Sequence, residues 1–131
     1  MFEHIRLLVV DDHQDSQDLV VTLFETYGAK VKAASSVSEA LMFLNSFEPN
    51  MLISDIVMPS LDGYTLIRHI RQQEADSNQV PLPAIALTAA AKPEDRDRAL
   101  AAGFSEYIAK PVDLKQLIAT VIKIANVNKL A

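Results

Sequence analysis

The chain has 131 residues and no cysteine, with 12 Lys and Arg against 17 Asp and Glu and half its residues apolar. That length fits one domain and buries enough surface to fold unaided, and without cysteine it excludes disulfides, CxxC redox chemistry and thiolate zinc sites. Its apolar runs fall short of the ~20 residues that span a bilayer, and an acidic balance without a basic stripe argues against direct nucleic-acid binding.

The opening MFEHIRLLVVDD carries an early acid and closes its apolar run on two aspartates. It reads as a first strand, Ile5–Val10, and not as a secretion signal; a soluble, cytoplasmic domain is the expectation. Val20, Leu23, Phe24 and Tyr27 then recur with the period of an amphipathic helix. Gly28 suits the left-handed position just beyond its end. A second strand is expected over Lys30–Ala34. SVSE, starting at Ser36, has capping-box spacing ahead of a helical stripe of Val37, Ala40, Leu41 and Leu44. Met51–Ser54 reads as a third strand, and Leu66, Ile67 and Ile70 mark a third helix. Gln72–Pro83 is the loosest stretch and reads as a long loop before a fourth strand, Ala84–Leu87. Pro93 followed by Glu94 and Asp95 opens a weaker fourth helix with Ala99, Leu100 and Ala102, and Gly103 suits its end. Glu106–Ile108 is a fifth strand. Leu114, Leu117, Ile118, Val121 and Ile122 make the clearest helical stripe of all.

The strands are nearly continuous apolar runs, which points to burial on both faces of a parallel sheet. Five βα units imply a doubly wound α/β sandwich forming a single domain over residues 1–131. Of two plausible strand orders, the flavodoxin-like 2-1-3-4-5 suits this length best. Ligands of such sheets bind beyond the carboxyl ends of the strands. Those ends carry Asp11 and Asp12, then Asp55, then Thr88, then Lys110-Pro111.

Each of these residues alone has an ordinary reading: a loop or capping aspartate, a strand threonine, a solvated lysine. Together they do not. Two carboxylates ~4 Å apart repel by about 4 kcal/mol at an effective dielectric of 20, so three gathered in one pocket require a cation. The histidines His4, His13 and His69 are not at paired metal-binding spacing. Oxygen ligands favour a hard ion, Mg²⁺ first. With the Thr88 hydroxyl and Lys110 on the same rim, the parts of a phosphoryl-transfer site are present: a carboxylate nucleophile and positive charge for the transferring oxygens.

LLVVDD, LISDIVMPSLDGYTLIRHIR, IALTA and AAGFSEYIAKPVD, in that order and at matching separations, resemble the receiver domain of two-component response regulators. The resemblance runs from about Ile5 to Ile124, and the strand order 2-1-3-4-5 is the family's own. It implies that Asp55, followed by Met58 and Pro59, is the phosphoacceptor. Asp11 and Asp12 would position Mg²⁺, or Mn²⁺ in its place, with Asp12 ligating directly and Asp11 mainly through water. Val57 would lend its backbone carbonyl to the metal. Lys110 would contact the acyl phosphate, the Thr88 hydroxyl would move onto it, and Tyr107 would turn inward on activation. Gly63 falls at the family's tight turn before the third helix, and Lys110-Pro111 is expected to be cis. The phosphoryl donor would be a histidine kinase or a histidine phosphotransfer protein. The switched face of helix 4, strand 5 and helix 5 would meet a downstream protein, with no membrane or nucleic-acid partner; whether a dimer forms on phosphorylation stays open. Such a domain transfers and loses its own phosphoryl group and is not otherwise an enzyme. In the family, the side chains two after the acceptor and two after the threonine flank the hydrolytic water. Here they are Val57 and Ala90, neither able to orient one, so slow dephosphorylation is expected.

Three other readings compete. A flavodoxin-type cofactor protein would need a Gly-, Ser- and Thr-rich phosphate loop after strand 1, where this chain has Asp11-Asp12-His13. An aspartate-nucleophile phosphatase would want a second acid two residues past Asp55, where Val57 stands. A receiver fold acting as a docking module without phosphorylation remains open. The sequence stops at Ala131 with no output domain in it, so the signal is expected to pass to another protein. KPVD and EDRDRALAAGF resemble receivers of hybrid kinases more than those joined to winged-helix DNA binders, which leaves a stand-alone regulator, a relay intermediate or an excised receiver.

Overall fold

The computed structural model describes residues 1–59, 61–89 and 92–130. Strands β1 (Arg6–Val10), β2 (Lys30–Ala34), β3 (Met51–Asp55), β4 (Ala84–Thr88) and β5 (Glu106–Ala109) alternate with five helices. These are α1 (Gln14–Thr26), α2 (Val37–Ser46), α3 (Gly63–Ser77), α4 (Pro93–Ala102) and α5 (Leu114–Val127). The strands form one parallel sheet in the order β2-β1-β3-β4-β5, the flavodoxin-like order preferred from the sequence. No helix among the described residues is long and apolar enough to cross a membrane.

The sandwich follows from side-chain alternation along each strand. Leu7 and Val9 of β1, Met51 and Ile53 of β3, and Ile85 and Leu87 of β4 pack against Val20 and Phe24 of α1 and Leu117 and Val121 of α5. Their neighbours Leu8, Val10, Leu52, Ala84 and Ala86 face the opposite way, against α2, α3 and α4. β3 and β4 are buried at every residue. Burial on both faces fails for β2, which alternates exposed Lys30 and Lys32 with half-buried Val31 and Ala33. It is an edge strand, and Lys32 reaches over the Phe43 ring of α2 at 4.5 Å. In α4, Ala99 is the buried residue while Leu100 is exposed, so the fourth stripe is narrower than its sequence suggests.

The helix ends use local hydrogen bonds. Ser36 Oγ accepts from Glu39 N at 3.1 Å, as the SVSE spacing requires. Asp62 and Asp113 cap α3 and α5 in the same way, accepting from Thr65 N at 3.0 Å and Lys115 N at 2.9 Å. Gly28 and Gly103 have φ of 95° and 126°, conformations that β-carbons oppose. The expected long loop over Gln72–Pro83 is a correction: α3 continues to Ser77 and ends on Asn78 in the left-handed conformation. Its last turns are held by a partly buried ion pair. Arg71 Nη1 meets Glu74 at 2.8 Å, Arg71 also donates to Gly103 O and Leu82 O, and Glu74 Oε2 accepts from Leu82 N. These bonds supply partners that the polar sequence alone does not reveal.

α3 starts hard against the end of β3. Gly63 N donates to Ile56 O at 2.8 Å, and a β-carbon at Gly63 would lie 2.5 Å from Asp55 O and 2.9 Å from Ile56 Cα. Both obstacles are backbone, which cannot swing aside. Gly63→Ala is therefore expected to lower unfolding stability by about 1–3 kcal/mol, read as a reduced urea midpoint with an unchanged slope.

Candidate functional site

The register brings the acids together. Val10 pairs with Ser54, so Asp11 and Asp55 leave adjacent strands side by side. Asp55 itself pairs with Leu87 of β4, and Thr88 with Ala109 of β5. Lys110 N continues that ladder by donating to Thr88 O at 2.8 Å. The Lys110-Pro111 peptide is cis, as expected. Lys110 Nζ reaches back over the strand ends and donates to Asp11 Oδ2 at 3.2 Å and Asp55 Oδ2 at 3.1 Å.

Backbone amides hold the other oxygens. Asp11 Oδ1 accepts from His13 N at 2.9 Å, and Asp55 Oδ1 from Val57 N at 3.3 Å. Asp11, Asp55 and Thr88 are buried. Asp12 differs: its Oδ1 is buried yet accepts no hydrogen bond among the described residues. The exposed ring of His13 brings Nδ1 to 3.2 Å from it without hydrogen-bond geometry.

Three carboxylates against one ammonium leave the pocket negative. Ligand atoms of Asp11, Asp12, His13 and Asp55 lie within 4.8 Å of one another. A mainly oxygen donor set, with one buried carboxylate oxygen that accepts no hydrogen bond among the described residues, fits a hard divalent cation. His13 enters this cluster although its spacing to other histidines gave no sign of it; only its place next to the two aspartates was informative. Gln17 is a second residue that sequence reasoning passed over, a buried polar side chain on the apolar face of α1 whose amide meets Asp11 O at 3.2 Å.

Of the remaining expected residues, Val57 leaves its side chain 63% exposed beside Asp55. Tyr107 on β5 is half-buried and packs on the α2–α3–α4 side of the sheet. Its hydroxyl is buried without a hydrogen-bond partner among the described residues. Arg98 of α4 stacks over the ring of Tyr64 of α3 at 4.2 Å. Ala90 lies outside the described residues.

A sequence model of the response regulator receiver domain matches residues 7–122. The chain belongs to this family. The receiver domain is 46% identical over 112 residues to a 14.6 kDa protein in the sodA1 3′ region of Leptolyngbya boryana, covering 86% of this chain and 83% of that one. It is 36% identical over 118 residues to the sensor histidine kinase GacS of Pseudomonas protegens, covering 90% of this chain but 13% of the kinase. Among solved structures, the receiver domain of the Francisella response regulator 1452 superposes with a TM-score of 0.85 at 28% identity, over 95% of this chain and 98% of that one. The receiver domain is thus a signalling module of two-component systems, with an acidic cluster compatible with a metal.

Burial raises the Asp55 carboxyl above its ordinary range, Lys110 opposes the rise, and the charge of Asp11 adds to it. Burial alone would lower Lys110, but the hydrogen bonds and charges of Asp55 and Asp11 outweigh it and hold the ammonium above its ordinary value. A raised Asp55 means that the native state holds this proton more tightly than the unfolded chain does. Its contribution to stability therefore falls as pH rises from the ordinary aspartate value through the raised one. Without divalent ions, Asp55→Asn is expected to unfold at higher urea than wild type at about pH 7, with the advantage shrinking toward about pH 4, near the ordinary aspartate value. Urea midpoints across that range measure it.

Proposed function

We propose that this receiver domain is a phosphoacceptor switch in which Asp55 takes a phosphoryl group from a phosphohistidine of a kinase or phosphotransfer protein. The observation that carries this reading is the Lys110 bridge to Asp11 and Asp55, set beside a buried Asp12 Oδ1 that accepts no hydrogen bond among the described residues. An Asp55 oxygen attacks phosphorus, the bond from phosphorus to the imidazole nitrogen breaks, and the imidazole leaves with its electron pair. The product is a mixed anhydride on Asp55. Asp12, Asp55, the Val57 carbonyl and, mainly through water, Asp11 would hold Mg²⁺, which supplies charge neutralisation for the transferring oxygens. Lys110 moves from bridging two carboxylates to contacting the phosphoryl group. Most of the catalysis is this positioning of fixed charge.

The new group adds negative charge and strong acceptors. Thr88, buried at the end of β4, would turn its hydroxyl toward it. The space this leaves is open to Tyr107, whose buried hydroxyl has no hydrogen-bond partner among the described residues to hold it in its present packing. The repacking would then reach the face of α4, β5 and α5, where a downstream protein reads it as a shift between two populations. Support for an acceptor over a phosphatase comes from Val57, an apolar side chain where a leaving-group acid would be needed.

Wild-type protein incubated with Mg²⁺ and acetyl phosphate is expected to gain one phosphoryl group by intact mass, and Asp55→Asn none. An unmodified wild type would sink the proposal, and partner binding unchanged in Asp55→Asn would favour a phosphorylation-independent docking module. Mg²⁺ alone is expected to stabilise the fold by about 1.4 kcal/mol at ten times its dissociation constant, seen as a thermal shift that Asp12→Ala abolishes. Neither Val57 nor Ala90 can hydrogen-bond a hydrolytic water. The double variant Val57→Asn/Ala90→Glu is therefore expected to lose its phosphoryl group roughly tenfold faster than wild type, about 1.4 kcal/mol of barrier, followed by intact mass after acetyl phosphate is removed.

A further inference from the structure

Gln17 is 5% exposed on the face of α1 that otherwise buries Val20 and Phe24. A packing role needs no amide, and a buried amide is costly unless its hydrogens are taken up. Here they are directed at one place. Gln17 Nε2 lies 3.2 Å from Asp11 O, 3.1 Å from Ala34 O and 3.3 Å from Ser35 Oγ. Its Oε1 accepts from Gln14 Nε2 at 3.1 Å, which fixes the orientation of the amide. Asp11 N already donates to Ala34 O at 3.0 Å. The two carbonyls stand where β1 and β2 part, one on Ala34 of the last pair and the other on Asp11 just past its partner Val10.

The peptide unit is planar, so holding Asp11 O also fixes Asp12 N and the start of the Asp12 side chain. That matters because the neighbouring acids are anchored differently. The carboxylate of Asp11 is held by Lys110 and His13 N, and that of Asp55 by Lys110 and Val57 N. Oδ1 of Asp12 accepts no hydrogen bond among the described residues, and the His13 ring that stands 3.2 Å from it is itself exposed. Its position depends on the backbone beneath it, and Gln17 is what grips that backbone from α1.

We propose that Gln17 is a positioning residue for the divalent-cation site, holding the Asp11–Asp12 peptide so that the Asp12 carboxylate stands ready for the ion. The inference rests on the Mg²⁺ reading given above. Mg²⁺ tolerates little displacement of its ligands, and loss of a partner behind a ligand typically weakens metal affinity by about 10–100-fold.

The test is calorimetric titration with Mg²⁺ of wild type, Gln17→Met and Gln14→Leu, each confirmed folded by circular dichroism. Gln17→Met keeps length and apolar bulk while removing the amide, and is expected to bind Mg²⁺ about tenfold or more weakly. Phosphorylation by acetyl phosphate should return to the wild-type rate once Mg²⁺ is raised to saturation, a split that mere loss of stability would not produce. Gln14→Leu frees the amide without removing it, and should weaken binding in the same direction by less. Unchanged Mg²⁺ affinity in folded Gln17→Met overturns the positioning role while leaving the metal reading intact. If Gln17→Met does not fold, unchanged affinity in Gln14→Leu overturns it instead. A wild type that binds no Mg²⁺ overturns the metal reading, and this inference with it.

Discussion

One ammonium group holds together two buried carboxylates that their own repulsion would otherwise drive apart. Parallel strands in the order β2-β1-β3-β4-β5 put the carboxyl ends of β1, β3 and β5 on one rim. Asp11 and Asp55 meet there because their strands are in register, and Lys110 bonds to both. The raised Lys110 and the raised Asp55 are two expressions of the same confinement. Burial disfavours each charge, and the mutual attraction offsets the cost fully for the lysine but not for the acid. Much of the local backbone serves this arrangement. Gly63 lets α3 begin against Asp55, and the amides of His13 and Val57 take the carboxylate oxygens that face away from the lysine.

The central part of the fold was legible because β1, β3 and β4 are apolar along almost their whole length, as burial between two helical layers demands. The same rule misled at β2, whose alternating lysines are the pattern of an edge. The end of α3 escaped because its polarity looks like a loop until Arg71 and Glu74 are seen to satisfy one another and the chain before β4. Asp62 and Asp113 caps were equally silent, since an aspartate near a helix start is common in any loop. At the site, the order of strands alone brought Asp11, Asp55, Thr88 and Lys110 to one rim. His13 and Gln17 depend on which way a helix faces the strand ends, and spacing along the chain does not encode that.

The helices are not held equally. α5 buries Leu117, Val121, Ile124 and Ala125, and α3 buries six residues including Tyr64 and Ile67. α4 buries Ala99 and otherwise leans on contacts such as Arg98 over Tyr64. Elements with little buried apolar surface open at low free energy. The helix beside Tyr107 is therefore the one that a change in the core can move at least cost.

The lysines of β2 have a consequence for molecules in the plural. An edge strand offers a row of free amides and carbonyls to any strand that drifts alongside, including its own copy. Lys30 and Lys32 stand exposed on that border, and Lys32 is kept over Phe43. Two such edges approaching each other would bring ammonium groups face to face before the backbones could pair. The sheet thus carries a charged selvedge along β2 that opposes its growth at that border.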